Sequence, residues 1–281
     1  MEVYLQEDVG FGDITSDILV KDELGSARIT ADEEGILAGL EEATEIFREL
    51  DVKSYPMARD GDRVTKGMDV LVVEGPLKKI LLGERLVLNF LMKMSGIATI
   101  TNALSKECKK YNPLVKIAAT RKTTPGFRLY EKKAVVIGGG DPHRYRLDDA
   151  ILIKDNHLRV VGSITQAVSK AKSVSFTKKI EVEVETIEQA VEAAKAGADI
   201  IMLDNMSVEK VEVASLAVKK LNDRVLVEVS GGLTAENAHR YAKHADILSI
   251  GWITHSAKAM QFNLEINSIK AAETAESRES P

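Results

Sequence analysis

Residues 179–205 read KIEVEVETIEQAVEAAKAGADIIMLDN. The stretch opens and closes with short runs rich in Ile and Val, 179–185 and 199–205, which have the composition of buried strands. Between them, Ile187, Ala190, Val191 and Ala194 recur at helical spacing, and Gly197 ends the pattern as a C-terminal cap. A strand, a helix and a second strand in so short a span predict a βαβ unit, in which the two strands run parallel in one sheet.

The same rhythm continues on both sides. Further strand-like runs are VKIAATR (115–121), AILIKDN (150–156), RVLVEVS (224–230) and DILSIGW (246–252). Helical patterns follow at 207–221, with Ser207 as N-cap, and at 234–245, with Thr234 as N-cap and Asn237 in the first turn. Six strands suit either an α/β barrel short of the (β/α)₈ number or a doubly wound sheet. The strand ends favour the barrel, because nearly all of them finish in polar residues with chemical capacity. These are Arg121-Lys122, Lys154-Asp155, Glu183 and Glu185, Asp204-Asn205, Glu228 and Ser230, and Gly251. In an open sheet those ends would spread along a line, whereas in a barrel they converge on one mouth.

The first part of the chain has a different texture. The pieces SARITA (26–31) and VLVVEG (70–75) read as strands, with turns at Asp60-Gly61 and Lys66-Gly67. The segments 40–50 and 77–96 read as helices. The expected organisation is an N-terminal α+β sandwich over 1–98, joined by the C-terminal segment 262–281, and a barrel over 99–261. The last residues, AAETAESRESP, are polar and are expected to fray.

The composition excludes several classes. The chain has 281 residues, 44% of them hydrophobic and 29% charged, and this is the make-up of a folded protein rather than a disordered one. A net charge of −5 argues against a general binder of nucleic acid or membrane surfaces. The single Cys108 cannot form an internal disulfide and reads as a thiol packed in a helix. No apolar run reaches the roughly 18 residues of a membrane span, and the acidic N-terminus is unlike a signal peptide. A soluble, cytoplasmic protein is expected.

Against that acidic background the cations Arg121, Lys122, His143, Arg144, Arg146 and Lys154 fall close together in sequence. Arginine presents a planar fork that matches a carboxylate, and lysine is a compact charge suited to phosphate. A charge run is usually a solvated face; placement of three of these residues at strand ends favours an anion site. Glu181, Glu183 and Glu185 share one face of their strand, which is costly in a parallel sheet unless cations stand opposite. Glu183 and Asp204, on neighbouring strands, form a candidate pair for Mg²⁺, a hard cation that prefers oxygen ligands. Ser230-Gly231-Gly232 leads from a strand towards a helix and Gly251 ends the next strand; such turns cradle phosphate through backbone N–H groups. Gly138–Gly140 makes a flexible turn just before His143-Arg144. His157 reads as a helix cap or a ligand-site residue, with the cap favoured, His239 and His244 as surface or packing residues, and His255 as a residue lining the phosphate loop. Read from residues alone, the site joins a phosphorylated, Mg-bound donor to a second, anionic substrate.

The motifs TRKTTPGFR (120–128), GGG–HR (138–144), LIKDNH (152–157), EVEVE (181–185), MLDNM (202–206), EVSGG (228–232) and G–THS (251–256) occur in this order, with EDVGFGDITS (7–16) and GERLVLNFLMKMSGIAT (83–99) before them. Together they span nearly the whole chain and resemble the quinolinate phosphoribosyltransferase family. The resemblance implies transfer of a phosphoribosyl group from phosphoribosyl pyrophosphate to quinolinate with loss of CO₂, a step of NAD biosynthesis that uses Mg²⁺. It implies that Arg121, His143, Arg144 and Lys154 bind the quinolinate carboxylates and that Lys122 meets the donor's phosphates. By the same likeness Glu183 and Asp204 bind Mg²⁺–pyrophosphate and ribose hydroxyls, and Ser230, Gly231, Gly232 and Gly251 hold the 5′-phosphate. Lys122, Lys154, Glu183 and Asp204 are thereby the expected catalytic set. The family pairs subunits as a homodimer in which Arg85 reaches the neighbouring site, and its fold is an N-terminal sandwich with an incomplete barrel. This chain departs from the family pattern at Ala119-Thr120, where Asp is usual, at Pro142 before His143-Arg144, and at Trp252, a bulky residue expected to narrow the phosphate pocket. The alternative reading is a related phosphoribosyltransferase acting on nicotinate or another anionic acceptor. A Schiff-base enzyme using Lys154 and a non-catalytic phosphate binder are the other rivals.

Overall fold

The β-branched runs pair edge to edge. In the computed structural model, which describes residues 1–270, they form strands β1 (Lys116–Ala118), β2 (Ile151–Ile153), β3 (Ile180–Val184), β4 (Ile200–Asp204), β5 (Leu226–Ser230) and β6 (Ile247–Ser249). Their order in the sheet is β1-β6-β5-β4-β3-β2, and every pairing is parallel. The outermost strands of this order, β1 and β2, are not paired to each other, so the α/β barrel is incomplete. The backbone around Asp141 runs alongside β1 instead: Asp141 N–H donates to Ile117 O, and Ala119 N–H donates to Asp141 O. That pairing brings the segment ahead of His143 to the end of β1.

Period-two alternation sorts the side chains of the central strands. Val182, Val184, Ile201, Leu203, Val227 and Val229 are buried on one face. Glu181, Glu183, Met202, Asp204, Glu228 and Ser230 occupy the other. The register sets Asp204 beside Ser230, Ser230 beside Ser249, and Ser249 beside Ala118. The residues that follow these strands therefore emerge at one level.

The connections are helical where the sequence is periodic. The Ile187–Ala196 helix is capped by Thr186, whose hydroxyl accepts from Gln189 N–H, and it ends at Gly197 with φ 85°. The Val208–Leu221 helix is capped by Ser207. The third pattern is shorter than expected, and only Ala238–Ala242 is helical. Thr234 takes Glu236 N–H on its hydroxyl, while Asn237 accepts from Thr234 N–H and donates to Gly232 O. The first two are the side-chain bonds of a helix N-cap at Thr234, yet regular helical geometry starts only at Ala238.

The chain divides into two compact units, Ile100–Ala257 and Met1–Thr99 with the residues from Lys258 on. In the latter, an antiparallel sheet has the order Phe262–Lys270, Leu24–Ala31, Asp69–Pro76, Lys53–Pro56. The Leu40–Glu49 helix buries Leu40, Ala43, Ile46 and Phe47, a single helical stripe. The helix read over 77–96 runs on as Leu77–Lys109. Gly96 does not stop it, because its role is close approach: a Cβ there would lie 2.1 Å from the Lys258 carbonyl oxygen. The sequence break expected at 98/99 falls inside this unbroken helix. The expected fraying of 271–281 lies outside the described residues. Among the described residues, no helix is long and apolar enough to cross a membrane.

Candidate active site

The strand ends open into one cavity of about 530 Å³. Arg121, Lys122, His143, Arg144, Lys154, Glu183, Asp204, Ser230, Gly231 and Gly232 all line it. Gly251 stands at its edge, where an added Cβ would come within 2.9 Å of Lys122 Cδ. Arg85 does not line this cavity; it is exposed on the first unit's part of the Leu77–Lys109 helix.

The cations gather at one side. Arg121 and Arg144 are close enough to repel, and burial together with that repulsion holds Arg144 below the ordinary arginine range. Arg121 Nε is buried without a hydrogen-bond partner. A buried donor left open in this way calls for an acceptor that the chain does not supply. Lys122 is positioned by its backbone, whose N–H donates to Thr120 Oγ1 (3.0 Å) and whose carbonyl accepts from Thr254 Oγ1 (2.7 Å). Thr120 thus supports the turn that brings both cations to the mouth.

His143 sits at a left-handed φ of 51°, held by its own N–H donating to Asp141 Oδ1 (2.8 Å). Its ring lies between two buried carboxylates, with Nε2 3.3 Å from Glu181 Oε2 and 3.4 Å from Glu228 Oε2. Arg144 N–H points at Nδ1 (2.9 Å), a contact that suits the neutral ring with its proton on Nε2. Burial works against a charged ring here, and so does the Arg144 N–H, which a protonated Nδ1 cannot accept, but the hydrogen bonds to Glu181 and Glu228 outweigh both and raise the His143 pKa to about 10. Burial in turn raises Glu181, opposed by His143. The ligand atoms of these three residues lie within 4.8 Å of one another, a spacing a metal could use. A metal on Nε2 needs Nδ1 protonated, and the Arg144 N–H pointing at Nδ1 opposes that. The trio is therefore a hydrogen-bonded unit. Sequence reading placed Glu181 on the right face and missed its partner, because nothing local links residues 143, 181 and 228.

The anions face the cations. Lys154 Nζ donates to Glu183 Oε2, joining the end of β2 to β3. Burial and the neighbouring Glu183 carboxylate raise Asp204, with the Asn205 amide (2.6 Å) partly offsetting them. Two carboxylates that repel one another and offer hard oxygen donors fit a divalent cation such as Mg²⁺. Asn205, at φ 54°, went unnoticed in the sequence; its N–H donates to Ser230 O (2.9 Å) and it packs under Gly231.

The Ser230-Gly231-Gly232 turn needs its glycines. Gly231 and Gly232 adopt φ of 85° and 62°. A Cβ on Gly231 would lie 2.3 Å from Asn205 Oδ1 and 2.8 Å from Asn205 N. Trp252, expected to narrow the pocket, does not line it. Its indole N–H donates to Leu233 O (2.8 Å) and ties the two glycine loops together. His157 accepts from Lys154 N–H (2.9 Å) and caps the helix that follows β2. His255 stands beside Gly251 outside the cavity.

The chain resembles known proteins over nearly its whole length. Residues 13–95 match the quinolinate phosphoribosyl transferase N-terminal domain, and residues 97–265 match its C-terminal domain. A probable nicotinate-nucleotide pyrophosphorylase [carboxylating] from Methanothermobacter thermautotrophicus is 46% identical over 95% of this chain and 97% of its own length. The human nicotinate-nucleotide pyrophosphorylase [carboxylating] is 37% identical over 85% of this chain and 82% of its own. The crystal structure of NadC from Streptococcus pyogenes superposes with a TM-score of 0.88 at 39% identity, covering 95% of each chain. The chain belongs to the quinolinate phosphoribosyltransferase family.

Proposed function

We propose that this chain transfers the phosphoribosyl group of phosphoribosyl pyrophosphate to quinolinate and releases the 2-carboxylate, giving nicotinate mononucleotide, pyrophosphate and CO₂. The observation that carries this reading is the charge content of one cavity. Arg121, His143, Arg144 and Lys154 line it together with an acidic pair, Glu183 and Asp204, and the Ser230-Gly231-Gly232 turn. A dianionic ring suits the first group, and a sugar carrying phosphates suits the rest.

In this reading Arg121, His143, Arg144 and Lys154 hold the two ring carboxylates and orient the ring nitrogen towards C1 of the ribose. The nitrogen lone pair forms the new N–C1 bond as the C1–O bond to pyrophosphate breaks. Lys122 neutralises charge on the donor's phosphates, and Ser230, Gly231, Gly232 and Gly251 hold the 5′-phosphate through backbone N–H groups. Fixed charges aimed at the leaving group supply electrostatic stabilisation without reorganisation, and holding two substrates face to face supplies much of the remaining advantage. The 2-carboxylate then leaves as CO₂; its bonding electrons stay at C2, next to the new ring cation, and C2 takes a proton from water. No side chain forms a covalent bond to the substrate.

Glu183 and Asp204 would hold Mg²⁺, directly or through water or pyrophosphate, and the ion would neutralise charge on the leaving group. The proposal extends to a cytoplasmic homodimer in which Arg85 of one subunit completes the neighbour's acid site. Its support is that Arg85 is an exposed cation with no site of its own, and that Phe11, Ile14, Ile18 and Leu19 are exposed apolar residues that a partner would cover.

The test is turnover of quinolinate against nicotinate, each with phosphoribosyl pyrophosphate and Mg²⁺. Quinolinate should be the better acceptor by about a hundredfold or more, since loss of a doubly held carboxylate removes two charge-assisted contacts. Preference for nicotinate would instead favour the related transferase.

A further inference from the structure

Lys132 stands in a Lys132-Lys133 pair on the Arg128–Ile137 helix. It is 0% exposed. Its ammonium donates to the carbonyls of Pro142 and Arg144, the latter at 2.8 Å, and lies 5.3 Å from the centre of the Tyr145 ring. Its partners are thus two main-chain oxygens and an aromatic face rather than a carboxylate. The two oxygens flank His143, the residue whose left-handed backbone turns the chain towards the cavity.

The same turn of helix braces the other acid-gripping loop. Glu131 accepts from Thr124 N–H and Thr124 Oγ1, both at 2.9 Å. Arg128 Nε donates to Thr123 Oγ1 (2.9 Å), and its Nη1 donates to Tyr145 O (3.0 Å). Residues spaced by three and four share a helix face, so one face fixes the loop after Arg121-Lys122 and the loop carrying His143-Arg144.

We propose that Lys132 is a positioning residue for acid recognition: its buried ammonium clamps the carbonyls on either side of His143 and thereby holds His143 and Arg144 at the cavity. The inference rests on reading those two residues as part of the quinolinate grip. The chemistry explains why a lysine is used. Two carbonyls that converge on one buried point are both satisfied only by a donor that can serve both, as an ammonium with three N–H bonds can. The arrangement is costly for the lysine, whose pKa burial, with Arg128 beside it, lowers to about 8. A residue kept charged at that expense is one whose two bonds matter.

The experiment uses the full chain with Lys132→Met, which keeps length and removes the donors, and Lys132→Gln, which keeps a donor for one carbonyl. Calorimetry gives the quinolinate Kd, and steady-state kinetics gives the KM for phosphoribosyl pyrophosphate. For K132M the quinolinate Kd should rise about tenfold or more while the donor's KM stays within about twofold, and K132Q should fall between K132M and wild type. Quinolinate affinity unchanged in both variants, or a donor KM that rises in step, would overturn the proposal. Failure of both variants to fold would also overturn it, making Lys132 a determinant of the fold. Wild-type protein that does not bind quinolinate would instead remove the functional reading on which this one stands.

Discussion

Lys154, at the end of β2, and Glu183, on the adjacent β3, form an ion pair at the wall of the cavity. The lysine belongs to the proposed acid-binding group and the glutamate to the proposed metal pair, so this contact joins the two halves of the site. With the Lys154 side chain 44% exposed, the pair adds little to folding. Its worth lies in holding two groups at reacting distance before either substrate arrives. Lys154→Met and Glu183→Gln should each change folding stability by less than about 1 kcal/mol. Each should lower kcat/KM by about tenfold to a hundredfold, the range for one lost charge-assisted contact. Denaturant titration beside steady-state kinetics checks this, and a large stability loss would show that the pair is structural.

The two glycines of the phosphate turn should differ. Gly231→Ala combines a positive φ with a Cβ 2.3 Å from Asn205 Oδ1, so it displaces Asn205 and disturbs Asp204 behind it. Gly232→Ala meets open space and bears only the left-handed backbone penalty, about 1–2 kcal/mol. The KM for phosphoribosyl pyrophosphate and the thermal midpoint should both suffer more in G231A. The reverse ranking would mean that the turn is not gripped through Asn205.

The His143 cluster predicts a pH signature. The folded pKa of about 10 lies above the value near 6.5 of an unfolded histidine. A raised pKa contributes stability that is complete below about pH 6.5 and is lost as pH rises towards about 10. The advantage of wild type over His143→Gln in thermal midpoint, measured without substrates, should therefore shrink steadily across that window. A difference that stays constant with pH would mean that the cluster does not retain its proton.

Cys108 is 0% exposed, and burial, with Glu107 nearby, pushes its thiol up to about 11. The native protein should ignore a thiol reagent such as Ellman's at neutral pH and yield one reactive thiol per chain in denaturant. Rapid native labelling would place the thiol at the surface.

Much of the site was legible because strands punctuate a parallel barrel. A β-branched run that stops at a charged residue marks its own C-terminal end, and such ends face one mouth; Arg121, Lys154 and Asp204 were visible in this way. What could not be read depends on contacts between distant elements. Glu228 looked like an ordinary strand-end acid until folding put it across from His143. Lys132 carries no local signal of its role, because its burial is decided by loops ten or more residues away. The 234–245 pattern read as one helix because its periodicity and its cap at Thr234 are both present, although only Ala238–Ala242 is helical. Gly96 carried the opposite hazard, a residue that suggests a stop yet sits mid-helix to admit another segment's backbone.

The central claim is that the cationic side of this cavity takes a doubly acidic pyridine and that one of its carboxylates leaves. Quinolinate labelled in the 2-carboxylate tests it directly when supplied with phosphoribosyl pyrophosphate and Mg²⁺. The account predicts one labelled CO₂ for each pyrophosphate formed, and none when the donor is omitted. Pyrophosphate without labelled CO₂, or no pyrophosphate at all, would contradict it.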